Sequence, residues 1–303
     1  MSRVLVTGAS GFIGRQIVAK LATMDVEVHA VARTPSFAQD GSVHWHAVDL
    51  LKPRDAADLI HTIRPTHLVH AAWIATPGVY LQSPENLAWV QASIGLATAF
   101  GETGGTKFLG VGTCAEYAPS DKILAEDSAA LAPASIYGSA KLAAAHALTA
   151  AAGIHGFQFA WARLFVPYGT GDSPKRLIPS VIAALHRGEA IPTTHGNQVR
   201  DFITSVDAAD QITRLLWSPA SGSFNIGSGQ GTPVRAVLDR IGAHFQRMDL
   251  LQYGARSPAP GEPMLLVADM EKTASALGGI TAISIAEGVD QAIAEFEASL
   301  VDG

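Results

Sequence analysis

The sequence has a single cysteine in 303 residues, so it has no partner for an internal disulfide and no thiolate cluster for a metal. Charged residues are scarce at 16%, and the formal net charge is -6. Without a basic surplus the chain lacks the charge that nucleic acids and anionic membranes attract, so we expect neither as a partner. The lone thiol, Cys114, is typical of a reducing compartment, and we expect a cytoplasmic protein.

Long apolar runs are also missing. Each apolar stretch is interrupted before the ~20 residues that a membrane-spanning helix needs, and no signal-peptide pattern follows Met1. His44 and His46 alternate along one predicted strand with no third ligand at a suitable spacing, so we expect no metal. The chain does have 48% hydrophobic residues, which is enough for a large buried core.

The first half alternates β-branched runs with amphipathic stretches, which is typical of βαβ units. We predict an α/β fold with a doubly wound parallel sheet in residues 1–166, onto which 203–218 packs back. In the rest of the chain glycine and proline recur every few residues, which indicates short elements joined by loops. We predict that this part is a smaller, discontinuous α/β lobe made mainly of 167–202 and 219–303. The predicted strands are 4–7, 27–31, 44–48, 67–70, 107–111 and 158–164, and the predicted helices are 12–23, 54–64, 84–103, 135–152, 177–187, 206–217 and 234–245.

A glycine-rich turn joins the first predicted strand to the first helix. Gly8 permits a tight turn, Gly11 lets the backbone approach a pyrophosphate at the helix N-terminus, and Gly14 lets the helix pack on the strand. An ordinary βα turn is the alternative, but this context favours a dinucleotide site. The expected dinucleotide contacts are Gly8, Ser10, Gly11, Phe12, Ile13, Gly14, Arg33, Asp49, Leu50, Ala71, Ala72 and Lys141.

The choice of dinucleotide is made at the end of the second strand. An acidic residue there would bond the adenosine ribose of NAD, but the run Val31-Ala32-Arg33-Thr34 has none. Arg33 suits a 2′-phosphate, which favours NADP(H) over NAD(H), unless it is a solvated loop charge. Asp49 either accepts from the adenine amino group or caps a turn.

Tyr137 and Lys141 are spaced i, i+4 at a predicted helix start, which places them on one helical face. An adjacent ammonium lowers the pKa of a tyrosine, so the pair suits proton transfer, and Lys141 can also hold a cofactor ribose. Thr113 follows an apolar strand, where its hydroxyl either bonds a substrate oxygen or caps the strand end.

These motifs occur together with His70-Ala71-Ala72, the run 163–169, Arg200-Asp201-Phe202-Ile203 and the run 224–229. Over nearly its whole length the chain therefore resembles the extended short-chain dehydrogenase/reductase family, in its nucleotide-sugar branch. The resemblance implies a Rossmann domain, a smaller nucleotide-sugar lobe, NAD or NADP, and a homodimer formed by helices near 84–103 and 135–152. It also implies that Thr113, Tyr137 and Lys141 are the catalytic residues.

Departures from the family pattern select the reaction. Relatives that are 4,6-dehydratases carry an Asp-Glu pair directly after the threonine, where this chain has Cys114 and Ala115. Relatives that epimerise at C3 and C5 use a cysteine and a later histidine, where this chain has Ala115 and Arg176. Both activities are disfavoured, and we interpret Cys114 as a small buried hydrophobe.

The resemblance also implies contacts with the substrate. Arg200 matches a family arginine that binds the nucleotide phosphates, although it is also placed to pair with Asp201. Arg256 is a possible second contact, and Val166 replaces an asparagine common in relatives. The expected substrate contacts are therefore Thr113, Tyr137, Val166, Arg200 and Arg256, while Glu116 and Tyr80 either face the sugar or support the fold.

Three hypotheses follow from these residues. The first is reduction of a nucleotide-linked 4-keto-6-deoxy sugar by NADP(H), favoured by Arg33, with Tyr137 as proton donor in deoxysugar biosynthesis. The second is an NAD-dependent 4-epimerase, which needs the same residues. The third is a dinucleotide sensor without catalysis, which the intact set of Thr113, Tyr137 and Lys141 argues against.

Overall fold

The computed structural model describes residues 2–34, 43–259 and 261–301. Its strands are β1 (Arg3–Thr7), β2 (Glu27–Ala32), β3 (Val43–Ala47), β4 (His67–His70), β5 (Lys107–Thr113), β6 (Gln158–Leu164), β7 (Val166–Tyr168), β8 (Ile191–Pro192), β9 (Val199–Thr204), β10 (Gly222–Ile226), β11 (Gly231–Pro233), β12 (Leu251–Gln252) and β13 (Leu265–Leu266). Its α-helices are α1 (Phe12–Ala22), α2 (Pro53–Ile63), α3 (Glu85–Glu102), α4 (Ile136–His155), α5 (Leu177–Arg187), α6 (Ser205–Trp217), α7 (Val234–His244), α8 (Glu271–Leu277) and α9 (Ile285–Val301).

The main sheet is parallel and has the order β10-β6-β5-β4-β1-β2-β3 within the described residues. Strand order reverses between β1 and β4, which is the switch point where ligands bind in such sheets. Helices α2, α3 and α4 pack on one face and α1 and α6 on the other, each with its own apolar core. The fold is the predicted doubly wound Rossmann arrangement.

The smaller sheets lie in the second half of the chain. Strand β9 pairs with β11, β13 and β7, and β8 pairs with β12. Helices α5, α7 and α9 pack around a separate apolar core that includes Val181, Leu238 and Ile293. The smaller lobe therefore has a core of its own.

The chain crosses between the two parts more often than the sequence indicates. Helix α6 packs on α1 and contributes Ile212 and Leu215 to the core of the main sheet. Strand β10, which falls in the 219–303 segment assigned to the smaller lobe, is instead the edge strand beside β6. Phe224 and Ile226 explain this placement, because both are buried in the main core. Within the described residues, no helix is both long enough and apolar enough to cross a membrane.

Candidate active site

The glycine-rich turn has the shape that a dinucleotide pyrophosphate requires. Gly8 has a φ of +66°, and a Cβ there would lie 2.6 Å from the Ala72 backbone nitrogen. Gly11 precedes α1, and within the described chain no side chain caps the amides at that helix start. The N-terminus of α1 therefore offers free N–H donors and a partial positive charge to an anion, which fits a dinucleotide phosphate.

A cavity of about 1220 Å³ opens above the carboxyl ends of the central strands. It extends from the glycine turn past the end of β5 to the start of α4, so it joins the expected cofactor and catalytic residues in one space. The predicted site residues that line it are Gly8, Ser10, Gly11, Phe12, Ile13, Gly14, Arg33, Leu50, Ala71, Ala72, Thr113, Tyr137, Lys141 and Val166.

Tyr137 lies in the first turn of α4, which begins where Ser135 caps the Gly138 amide at 3.0 Å. Its ring meets the Tyr80 ring edge-on, with centroids 4.8 Å apart. Burial raises the pKa of Tyr137 above its ordinary value, and a hydrogen bond with Thr113 opposes this. The expectation of a lowered pKa for Tyr137 is therefore wrong, because the protein around the hydroxyl disfavours the anion.

Lys141 lies one turn further along α4 and is buried. Its Nζ donates to the Val111 carbonyl at 2.7 Å and lies 3.9 Å from the centre of the Trp73 ring, with Trp161 on another side at 5.8 Å. Burial lowers the pKa of Lys141 to about 7, while the charge of Glu116 acts to raise it. The ammonium is thus directed at a carbonyl and two aromatic faces.

Thr113 ends β5 and caps the short 3₁₀ helix Cys114–Glu116. Its hydroxyl accepts from the Ala115 amide at 3.2 Å, and its own amide donates to Glu116 at 2.8 Å. The capping role of Thr113 is therefore formed, and the same residue also lines the cavity. Burial raises the pKa of Cys114 to about 12, which agrees with an inert, apolar thiol.

Beneath the cavity, His70 links three elements. Its Nδ1 lies 2.8 Å from the Thr7 hydroxyl and its Nε2 lies 2.9 Å from Ser93 Oγ, which donates to the Trp89 carbonyl. Because Ser93 uses its proton on Trp89, this network assigns the histidine proton to Nε2. Burial lowers the pKa of His70 to about 3, so the ring is neutral and fastens the ends of β1 and β4 to α3.

Three predicted contacts, Asp49, Arg200 and Arg256, lie outside the lining of this cavity, and their binding roles stay predictions. Asp49 Oδ1 accepts from the Leu51 amide at 3.2 Å, which is the turn-capping alternative. Arg200 donates to Glu262 at 2.7 Å and to the Pro263 carbonyl at 2.8 Å, so its guanidinium is already bonded. Arg256 is exposed, because it lies in the loop that follows β12.

The alternative pairing of Arg200 with Asp201 is also not formed. Asp201 instead accepts from the Ser228 hydroxyl and amide, the Gly229 amide and the Ala268 amide. Successive residues of a strand point to opposite faces, so two neighbours on β9 cannot readily pair with each other.

Some residues that line the cavity were not predicted from the sequence, or their role was left undecided. Trp73 follows the His70-Ala71-Ala72 motif and packs on Lys141, and Tyr80 packs on Tyr137. Asp172 and Arg176 line the cavity as well, with Nε to Oδ1 at 3.6 Å, and burial raises the pKa of Asp172 to about 6. The only signal in the sequence was that Asp172 and Arg176 lie a few residues after Tyr168-Gly169.

The structure describes the possible metal ligands of residues 2–34, 43–259 and 261–301. In these ranges no three histidine, cysteine, aspartate or glutamate side chains are grouped so that they could hold a metal ion.

Comparisons with known proteins agree with this geometry. Residues 4–227 match the model of the NAD dependent epimerase/dehydratase family. The UDP-glucose 4-epimerase of Rhizobium meliloti (strain 1021) is 27% identical over 303 residues, which cover 91% of this chain and 92% of that protein. MoeE5 in complex with UDP-glucose and NAD is 29% identical with a TM-score of 0.85, covering 99% of this chain and 100% of MoeE5.

A further solved structure bears on the fold. The UDP-glucose 4-epimerase of Thermotoga maritima, with UDP-glucose, has a TM-score of 0.89 at 22% identity and covers 98% of this chain and 99% of its own. The family match extends over well over half of the chain and includes the glycine turn, Thr113, Tyr137 and Lys141. The chain therefore belongs to the NAD dependent epimerase/dehydratase family.

Proposed function

We propose that this enzyme is a nucleotide-sugar 4-epimerase that works with tightly held NAD. The observation that carries the proposal is that Thr113, Tyr137 and Lys141 line the same cavity as the glycine turn. Support also comes from the UDP-glucose 4-epimerase of Rhizobium meliloti, which this chain matches along 91% of its length, and from MoeE5, which binds UDP-glucose and NAD. We infer a nucleoside diphosphate hexose as substrate.

The chain's own groups have distinct roles in this proposal. The chemistry that NAD supplies when bound is reversible acceptance of a hydride from C4 of the sugar. Tyr137 takes the proton of the C4 hydroxyl and later returns it, while the Thr113 hydroxyl orients the C4 oxygen. Lys141 stabilises the tyrosinate by its charge, which offsets the burial that raises the pKa of Tyr137.

The two positions after Thr113 limit the reaction to this exchange at C4. Cys114 is buried with its pKa raised to about 12, and Ala115 has no ionisable group. Neither can supply the second acid or base that water elimination or inversion next to a carbonyl would need. We therefore propose neither dehydration nor 3,5-epimerisation.

Reduction of a 4-keto sugar by NADPH is the second candidate. Arg33 favours it, because this exposed side chain lines the cavity directly after β2, where a 2′-phosphate would lie. The two candidates differ in whether the dinucleotide leaves after each turnover. An epimerase recovers its NAD in every cycle, whereas a reductase must exchange its oxidised product for NADPH.

The dinucleotide that accompanies the purified protein separates the candidates. The protein is prepared without added cofactor and denatured, and the released dinucleotide is identified and quantified by mass spectrometry. We expect close to one NAD per chain. NADP, or an empty protein that gains activity only with NADPH, would favour the reductase over the epimerase.

Three expectations from the sequence stay predictions. We propose that the division into a dinucleotide-binding domain and a smaller lobe separates cofactor from sugar binding. The homodimer is proposed to form through α3 and α4, whose outward residues include Leu87 at 62% exposure and Ile94 at 39%. A cytoplasmic location is likewise a prediction.

A further inference from the structure

Glu116 is a fully buried carboxylate directly behind the proposed catalytic residues. It is 0% exposed and ends the 3₁₀ helix that Thr113 begins. Its Oε1 accepts from the Thr113 amide at 2.8 Å and from Trp161 Nε1 at 2.9 Å, and its Oε2 accepts from Arg163 Nε at 2.8 Å. The carboxylate is thus bonded to the backbone of the residue that we propose orients the substrate.

The Trp161 indole lies between the same carboxylate and Lys141. Trp161 donates its Nε1 proton to Glu116 while the Lys141 ammonium lies 5.8 Å from the centre of a Trp161 ring. A negative charge bonded to an indole N–H increases the electron density of the ring, which favours a cation near its face. Gly112 makes this approach possible, since a Cβ there would lie 2.6 Å from Glu116 Oε1 and 2.2 Å from Trp161 Nε1.

The titratable groups around Lys141 come from several elements. Burial lowers the pKa of Lys141, and the charge of Glu116 raises it. His70, from β4, is neutral with its pKa lowered to about 3, so it adds no charge near neutral pH. Tyr137 lies one turn away on α4, and Glu116 raises its pKa too.

The groups that face Glu116 itself are Arg163 on β6, Tyr117, which follows it in the chain, and Cys114 on its own 3₁₀ helix. Arg163 pairs with it directly and also donates to the Tyr117 hydroxyl at 3.3 Å. The pKa of Tyr117 is raised to about 12 and that of Cys114 to about 12, both chiefly by burial, so both groups stay neutral. The carboxylates of Glu126 and Asp201 also act on this cluster, through the pKa of Tyr117 and of Cys114 respectively. Glu116 is the one bonded to both Thr113 and Trp161.

We propose that Glu116 is a positioning residue. Its carboxylate holds the backbone of Thr113 at the end of β5, and its negative charge acts on the Lys141 ammonium by way of the Trp161 ring that lies between them. The inference rests on the proposed function, because it assigns Thr113 and Lys141 their roles there. A carboxylate that only stabilised the fold would affect how easily the protein unfolds. A positioning carboxylate also sets the pH range in which Lys141 is charged.

Glu116→Gln tests the proposal, with Glu126→Gln as the matched control. Glu126 is also a buried carboxylate, and it accepts from the Asn225 amide at 2.6 Å at the far end of the same network. Lysine side chains labelled with ¹³C and ¹⁵N are titrated by NMR in the protein with its bound dinucleotide, and Lys141→Gln identifies the resonance. The pH dependence of UDP-glucose turnover is measured in parallel.

In Glu116→Gln we expect Lys141 to lose its proton about one pH unit lower than in the unaltered protein, a tenfold change in its protonation equilibrium. Removing the negative charge lowers the pKa of both Lys141 and Tyr137, so the whole pH profile of kcat moves to lower pH. kcat at neutral pH falls about tenfold with little change in KM, while Glu126→Gln keeps the profile of the unaltered protein.

The protein can unfold when a buried ion pair loses one partner, because the other charge is left buried and unpaired. The double variant Glu116→Gln/Arg163→Met is therefore made as well. It removes both charges of the pair and leaves the Lys141 titration as the readout. An unshifted Lys141 titration in a folded variant would overturn the inference. A shifted titration in a protein that converts no nucleotide sugar would uphold the role of Glu116 toward Lys141 and refute the proposed function instead.

Discussion

Replacing Tyr137 with phenylalanine should lower kcat by a factor of about 10²–10⁴, which is the contribution expected of a positioned acid–base group. The substitution removes the hydroxyl that carries the C4 proton and leaves the ring. The edge-on contact with Tyr80, at 4.8 Å between centroids, therefore remains. Turnover of UDP-glucose is measured together with the content of bound dinucleotide, which should stay unchanged.

Tyr80→Phe is the control for this variant. It removes a hydroxyl from the ring that packs against Tyr137 and lines the same cavity, but our account gives that hydroxyl no proton to transfer. Its kcat should stay within the same order of magnitude as that of the unaltered protein. Full turnover by Tyr137→Phe, with dinucleotide still bound, would rule out the proposed acid–base role.

Gly14→Ala should cost both stability and the bound dinucleotide. A Cβ at this position would lie 2.1 Å from the Gly8 carbonyl oxygen and 2.7 Å from its carbon. Both are backbone atoms, so α1 must move away from β1 and the turn loses its shape. We expect a loss of about 1–3 kcal/mol in the free energy of unfolding and little or no dinucleotide after purification.

Gly153→Ala is the matched control on α4. The space around it is open, with nothing within 4 Å of the added Cβ, and alanine favours a helix by about 0.5–1 kcal/mol over glycine. This variant should be as stable as the unaltered protein or slightly more so, with its dinucleotide retained. A Gly14→Ala protein with normal dinucleotide content would contradict the proposed fit of the turn to a pyrophosphate.

The Rossmann sheet was predictable because its signals are local. Each of its elements can be predicted from a stretch of about ten residues. Examples are the β-branched run ending at Thr7, the glycine turn and the amphipathic helices. Strand β10 was not predictable in this way, since it joins the main sheet from far along the chain. Its pairing with β6 depends on the tertiary burial of Phe224 and Ile226, which no local pattern encodes.

In the site too, features encoded by local sequence were predictable and features that depend on tertiary structure were not. The spacing of Tyr137 and Lys141 on one helix correctly predicts that both reach one cavity. The direction of the Tyr137 pKa was wrong, because it depends on how the folded chain excludes water from the hydroxyl. The protein partner of Arg200 was not predictable for a similar reason, since Glu262 is 62 residues away in the sequence.

In the proposed reaction, a hydride leaves C4 of a nucleotide sugar and returns to the opposite face. The most direct test is to incubate the purified protein, with no added cofactor, with UDP-hexoses and dTDP-hexoses in D₂O and to follow the products by NMR. We expect inversion at C4 with no deuterium on that carbon, because a transferred hydride does not exchange with solvent. Deuterium at C4, or turnover only when NADPH is supplied, would contradict the account.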